Sequence, residues 1–375
     1  MDNLQKVAPG ALVVGKPLPW AVYDENGGLL LRQGFVIQTE GQLEKLYERG
    51  LFQSPLSATK KKIEEDREEG RRVSPFAEYA PLLSDLELGL EAVMQQKPHA
   101  KERILGLARR INEMCKSDPD ASIALVHIYA VEPTAYEQTL FYAILCRFIA
   151  RHMRFDREQA MILMAAALTA NLALLPHQDK LNNSTKKLSE AQRAVINKHP
   201  LLSVIALDQA GVQNKRFLRV IAQHHERFDG SGYPKGLSGD DILPEAKALA
   251  LAERYTAMVT RRAYRDRFRS DHARQDILTS VAEDPDQSVY QALFRALGDY
   301  PPGILVQLRN GETAVVTRRA KGDGMPETMA VVSASGNAYM GGIRRNAEDE
   351  DFAIEEVVVP KYLPALNLSQ LWGYG

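Results

Sequence analysis

The sequence predicts a mainly α-helical core framed by two small β-rich modules. Three observations lead there. Apolar residues recur at helical spacing from Pro81 to about Leu297. After Asp299-Tyr300-Pro301-Pro302-Gly303 the period changes to two, with an Asn310-Gly311 turn between apolar runs. Near the start, Asn26-Gly27-Gly28 separates two further short apolar runs. The chain has 375 residues, a formal net charge of −1 and a hydrophobic fraction of 45%, which is ordinary globular composition with room for two or three domains. Near-neutral charge leaves no footprint for non-specific nucleic-acid binding.

Residues 1–58 form the first expected module. Leu18 to Asp24 and Leu29 to Leu31 flank the Asn-Gly-Gly turn as a hairpin, and Thr39 precedes an amphipathic segment from Gln42 to Arg49 that Gly50 closes. It is a docking element, a dimerisation element or a packing appendage. Residues 59–75 read as a charged linker: Lys60-Lys61-Lys62, then Glu64-Glu65-Asp66-Arg67-Glu68-Glu69, with almost no apolar content. Such a stretch is either disordered or a solvated helix with i, i+4 charge pairs. Residues 76–299 carry the helical pattern, broken by Asp118-Pro119-Asp120 and restarted at Asp156-Arg157-Glu158. Met161 and Met164 read as core filler. Residues 300–375 form a small β-barrel or open sheet, from the hairpin Ile304 to Thr317 and strands at Met329–Ser333 and Phe352–Val359.

Cys115 and Cys146 lie inside apolar helical patterns and read as buried reduced thiols. The opening Met1 to Lys6 lacks an apolar leader, and the apolar stretch from Met161 to Leu175 is short for a bilayer. The expectation is a cytoplasmic protein without membrane or nucleic-acid partners.

The chemistry concentrates in His224-His225-Glu226-Arg227-Phe228-Asp229-Gly230-Ser231-Gly232-Tyr233-Pro234. Paired imidazoles suit iron, zinc or manganese, and the glycines let backbone approach a ligand. With Lys198-His199-Pro200 upstream, then Gly236 to Ile242, Ala252 to Met258 and Arg262-Ala263-Tyr264-Arg265 downstream, this run resembles the HD-GYP family over roughly residues 120 to 300. Competent members of that family hydrolyse the bacterial second messenger cyclic di-GMP at a paired metal site.

The resemblance implies metal ligands at His199, His224, His225 and Glu253, the last standing where the family has Asp. It also implies departures. Ala170 and Asn171 replace the family's His-Asp pair, Leu174 its lysine, Gln138 (or Glu137 by one register) an earlier ligand histidine, and Thr256 a further Asp. Alanine has no ligand atom, and a neutral amide bridges two metal ions poorly. These changes point to a degenerate enzyme without catalytic residues. Its cofactor is either none or a single iron, manganese or zinc ion. Cyclic di-GMP would bind through Arg262, Arg265, Tyr233 and Gly232, unless the arginines are only a solvated basic face. A diguanylate cyclase or other signalling protein would dock on the Gly-Tyr-Pro loop. The function expected is therefore a nucleotide receptor or scaffold in cyclic di-GMP signalling. The alternative is an active phosphodiesterase with a reduced ligand set.

Overall fold

A computed structural model describes residues 4–8, 10–48, 50–182, 188–260, 269–280, 282, 284, 286–359 and 366–374. The chain opens with β1 (Gln5–Lys6), the hairpin β2 (Val22–Tyr23) and β3 (Leu29–Leu31), then α1 (Glu40–Glu48) and β4 (Phe52–Gln53). These strands form an antiparallel sheet in the order β1-β4-β2-β3. Thr39 starts α1 by accepting the Gln42 N–H at 3.2 Å, and Leu43 and Leu46 pack on a core of Val7, Leu12, Leu18, Val22, Ile37 and Leu51. The charged stretch that follows is helical. It is α2 (Leu56–Glu68), with Lys61 and Glu65 paired at 3.6 Å on its solvated surface.

The next helix, α3 (Pro75–Met94), begins six residues before the expected start and carries Pro81 inside it. Ser74 explains the earlier start: its hydroxyl accepts the Phe76 N–H at 3.3 Å, and Pro75 is preset for a first helical position. Then come α4 (Ala100–Ser117), α5 (Pro119–Ile128), α6 (Ala135–His152), α7 (Arg157–Thr169), a 3₁₀ turn Leu172–Leu174, and α8 (Leu175–Asn182). Next are α9 (Glu190–Gln209), α10 (Lys215–Gln223), α11 (Pro244–Val259), α12 (Ser270–Ser280) and α13 (Ser288–Leu297). Capping boxes at Thr134/Glu137, Asp156/Gln159 and Ser189/Gln192 fix where α6, α7 and α9 begin.

The C-terminal sheet contains β5 (Leu305–Leu308), β6 (Thr313–Arg318), β7 (Glu327–Val332), β8 (Ala338–Asn346) and β9 (Ile354–Val358), antiparallel in the order β8-β7-β6-β5-β9. Strand β8 was not expected. Gly341 and Gly342 interrupt its apolar pattern, and both take positive φ (83° and 76°). A side chain at Gly342 would meet Leu371 of α14 (Leu368–Leu371) at 2.6 Å, so here glycine admits a packed neighbour rather than marking a turn.

The chain packs as two compact units that cut across the linear boundaries drawn from sequence. One gathers Met1–Pro81, Ser117–Glu132 and Gly298–Gly375, and the other Leu82–Lys116 and Pro133–Leu297. In the first unit, Asp118 is buried at the N-terminus of α5. It accepts the Ala121 N–H at 3.0 Å, the Tyr374 hydroxyl at 2.8 Å, Arg72 at 3.2 Å, and the guanidinium of Arg318. Burial works against its charge, but these donors outweigh burial and hold its pKa below the usual carboxylate value. The tail adds a ring contact between Phe76 and Trp372 at 4.9 Å, and the Leu366 N–H donates to Gly34 at 3.1 Å.

In the second unit α6 is central, packed on α7, α11 and α13, while α10 sits against α7 and α9. Both cysteines are buried, free thiols. The helical run Arg157–Leu181 is longer than the apolar stretch read from sequence. By length and composition it could cross a membrane, and 67% of its apolar window is buried inside the molecule.

Candidate functional site

Helices α9 and α10 bring three histidines together. His199 lies on the buried face of α9, one residue before Pro200, and His224 and His225 stand where α10 ends. A helix C-terminus carries partial negative charge, which favours a cation. The His199 ring donates from Nδ1 to the Ile196 carbonyl at 2.5 Å, and His224 donates from Nδ1 to the Ile221 carbonyl at 2.6 Å. A carbonyl only accepts, so in both neutral rings the proton is on Nδ1 and Nε2 carries a lone pair.

Those two Nε2 atoms face each other at 3.3 Å. Burial holds His199 down to about 4. Burial, reinforced by His199, holds His224 down to about 3. At neutral pH no proton stands between the two lone pairs. Two such atoms on one tetrahedral ion, each ~2.0–2.1 Å away, lie about 3.3–3.4 Å apart. The ligand atoms of His199, His224 and His225 all fall within 4.8 Å of one another, so the trio fits a single cation.

Glu253, on α11, completes the cluster. Its Oε2 lies 3.8 Å from His225 Nε2 and 4.0 Å from His224 Nε2. Its other oxygen accepts the Asn171 side-chain N–H at 2.6 Å. Burial pushes the Glu253 carboxyl up to about 8, against the smaller lowering effect of Asn171. Ala170, at the end of α7, is fully buried and contributes only a methyl group, and Leu174 is a buried cavity-lining side chain.

At α6 both candidate positions are held in hydrogen bonds. Glu137 is used in the capping box, where it accepts the Thr134 N–H at 2.8 Å. Gln138 donates to the Pro133 carbonyl and accepts from Tyr142 and Gln178, each at 3.3 Å. Thr256 donates to the Ala252 carbonyl at 2.8 Å, which uses its hydroxyl within its own helix.

The Gly-Tyr-Pro loop is anchored by a residue that sequence reasoning passed over. Glu226 is buried, and its carboxylate accepts the Lys235 N–H at 2.7 Å and the Leu237 N–H at 2.9 Å. The available signal was its place next to the histidine pair, where a buried carboxylate needs donors. A Cβ at Gly232 would sit 2.5 Å from the Arg227 nitrogen and from Glu226 Cα, so only glycine fits. The Tyr233–Pro234 bond is cis, and the Tyr233 ring stacks on His225 with centroids 4.8 Å apart. Burial, then the nearby Glu253, raises the Tyr233 phenol. Arg262, Tyr264 and Arg265 lie outside the described residues.

Together these groups open onto a cavity of about 1140 Å³ lined by Tyr142, Asn171, His199, His225, Tyr233 and Tyr290. Sequence reasoning had named neither Tyr142 nor Tyr290 as cavity-lining. Chemically, the arrangement offers one cation position with neutral nitrogen donors and a single carboxyl, at the wall of this cavity.

Residues 123–289 match the family described as HD domain. Among curated proteins, the chain is 26% identical over 201 residues to cyclic di-GMP phosphodiesterase PA4108 of Pseudomonas aeruginosa, covering 53% of this chain and 48% of that protein. It is 29% identical over 192 residues to the cyclic di-GMP phosphodiesterase response regulator RpfG of Xanthomonas campestris pv. campestris, covering 48% and 49%. The chain spans about half the length of the curated relatives it matches. Among solved structures, Bd1817, a HDG"Y"P protein from Bdellovibrio bacteriovorus, superposes with a TM-score of 0.53 at 15% identity over 79% of this chain and 99% of that one. That likeness speaks for the fold. The family match and the fold likeness both fall on the helical region that carries the histidine trio.

Proposed function

We propose that this chain is a cyclic di-GMP receptor in bacterial second-messenger signalling, built on a one-metal HD-GYP site that does not turn the nucleotide over. The observation that carries the reading is the 2.6 Å hydrogen bond from Asn171 to Glu253. It occupies the place where the family resemblance implies a charged bridge between two ions. A neutral amide supplies no charge to offset the repulsion of two cations.

His199, His224, His225 and Glu253 would hold one iron, manganese or zinc ion, which when bound offers open positions to phosphate oxygens. Tyr233 would stack on a base, and Gly232 lets the loop backbone approach the ligand. Arg262 and Arg265 are proposed as guanine and phosphate contacts on the strength of their spacing alone. Signalling proteins such as a diguanylate cyclase would meet the domain at the Gly-Tyr-Pro loop.

Metal analysis, cyclic di-GMP calorimetry and a turnover assay with excess Mn²⁺ or Fe²⁺ test the reading together. The expected result is one ion per chain, nucleotide binding and no linear or mononucleotide product. A second reading, a phosphodiesterase with a reduced ligand set, draws support from the retained histidine trio and from relatives named cyclic di-GMP phosphodiesterases. Turnover that disappears in His224→Ala would establish that second reading and sink the first.

A further inference from the structure

Helix α9 has two apolar faces, and among the described residues only one of them is covered. His199, Pro200, Ser203 and Leu207 point inward and are buried. On the opposite side Val195 is 42% exposed, Leu201 39%, Leu202 46% and Ile205 51%. Leu202 and Ile205 stand seven and ten positions after Val195, and Leu201 four before Ile205, so they form one stripe on the helix rather than scattered surface residues.

Lys198 and Asp208 flank Leu201, Leu202 and Ile205 on that stripe. They are ten positions apart, about 15 Å along the axis. Both are exposed on the same side, and neither side chain makes an ion pair among the described residues. We propose that this face is the contact surface of a two-fold symmetric dimer, and that its occupant is a second copy of this chain lying antiparallel along α9.

The spacing of the charges selects that occupant. With the symmetry axis near Ser203, Lys198 faces Asp208 of the second copy and Asp208 faces the second Lys198. Leu201 then meets Ile205 across the axis, and Leu202 packs beside its own counterpart. Parallel packing would set lysine against lysine. An isologous contact closes on itself and uses one patch twice, as a self-complementary charge pattern requires.

Sedimentation of the full chain tests this with charge reversals. The wild type is expected to be dimeric. Lys198→Asp and Asp208→Lys should each raise the dimer dissociation constant about tenfold or more, because each places like charges at both ends of the stripe. The double variant Lys198→Asp/Asp208→Lys should return to the wild-type constant, which a merely misfolded variant would not do. Leu202→Glu should be monomeric with unchanged far-UV circular dichroism. A monomeric wild type overturns the proposal. So does a dimer indifferent to Leu202→Glu, or a double variant no better than the single ones.

Discussion

With no cation facing it, Glu253 keeps its proton at pH 7, because burial holds its carboxyl at about 8. His199 and His224 have none to lose there, since their folded values are about 4 and about 3. Metal uptake at pH 7 should therefore release about one proton, and that proton comes from Glu253. Calorimetry in buffers of different ionisation enthalpy measures it. Glu253→Gln should bind metal more weakly and release none, and a wild type without proton release would mean that Glu253 stays outside the coordination sphere. The same groups set the stability of the metal-free protein. The depressed histidines contribute stability that is present above their unfolded value of 6.5 and lost as pH falls through about 4 and about 3. The raised Glu253 contributes stability present below 4.5 and lost as pH rises through about 8. Thermal melts of the metal-free chain should show Tm falling between pH 6.5 and 8, and Glu253→Gln should flatten that limb. The histidine trio was legible from sequence because the motif keeps its members close to one pattern. The Asn171–Glu253 bond was not, since its partners are 82 positions apart and no motif pairs them.

The loop from Glu226 to Leu237 is an element without regular structure, so its shape depends on a few side-chain bonds. Glu226 ties down two of its backbone N–H groups, and Gly232 leaves room for the strand of chain beneath it. Gly232→Ala should cost ~1–3 kcal/mol, an overpacking penalty, because backbone cannot yield as a flexible side chain would. Gly236→Ala has a different cost, since its nearest atom is 3.3 Å away but its φ is +68°. Denaturant midpoints of the two variants, with hydrogen exchange across 226–237, check both. If Gly232→Ala is as stable and as protected as wild type, the loop has another conformation in solution. Element types were mostly legible where period and caps agreed, as at Asp156. They failed at β8, where two glycines serve packing rather than turning, and at Pro75, where a proline starts a helix.

At the scale of the whole molecule, Asp118 joins segments that sequence order keeps far apart: Arg72, Arg318 and Tyr374 all reach its carboxylate. Asp118→Ala should destabilise the first unit by ~3–5 kcal/mol, the usual consequence of removing one partner from a buried ionic cluster. Its pKa is lowered, so the wild-type contribution is present above 3.8 and is lost as pH falls below it. A two-probe melt, following Trp20 and Trp372 fluorescence against metal-site signals, should show the first unit melting early in this variant while the second keeps its midpoint. No periodicity or motif announces such a hub, because nothing local distinguishes Asp118 from an ordinary helix cap. Its geometry also bears on how the protein is made. The residues of the second unit have all been synthesised by Leu297, whereas the first unit still lacks Arg318, Trp372 and Tyr374 at that point. On the ribosome, Asp118 can meet Arg72 and the Ala121 N–H at once, but must wait for Arg318 and Tyr374 to emerge. The order of translation thus gives the histidine-bearing helices their chance to fold first, and makes the segment from Arg318 to Tyr374 the step on which completion of the first unit depends.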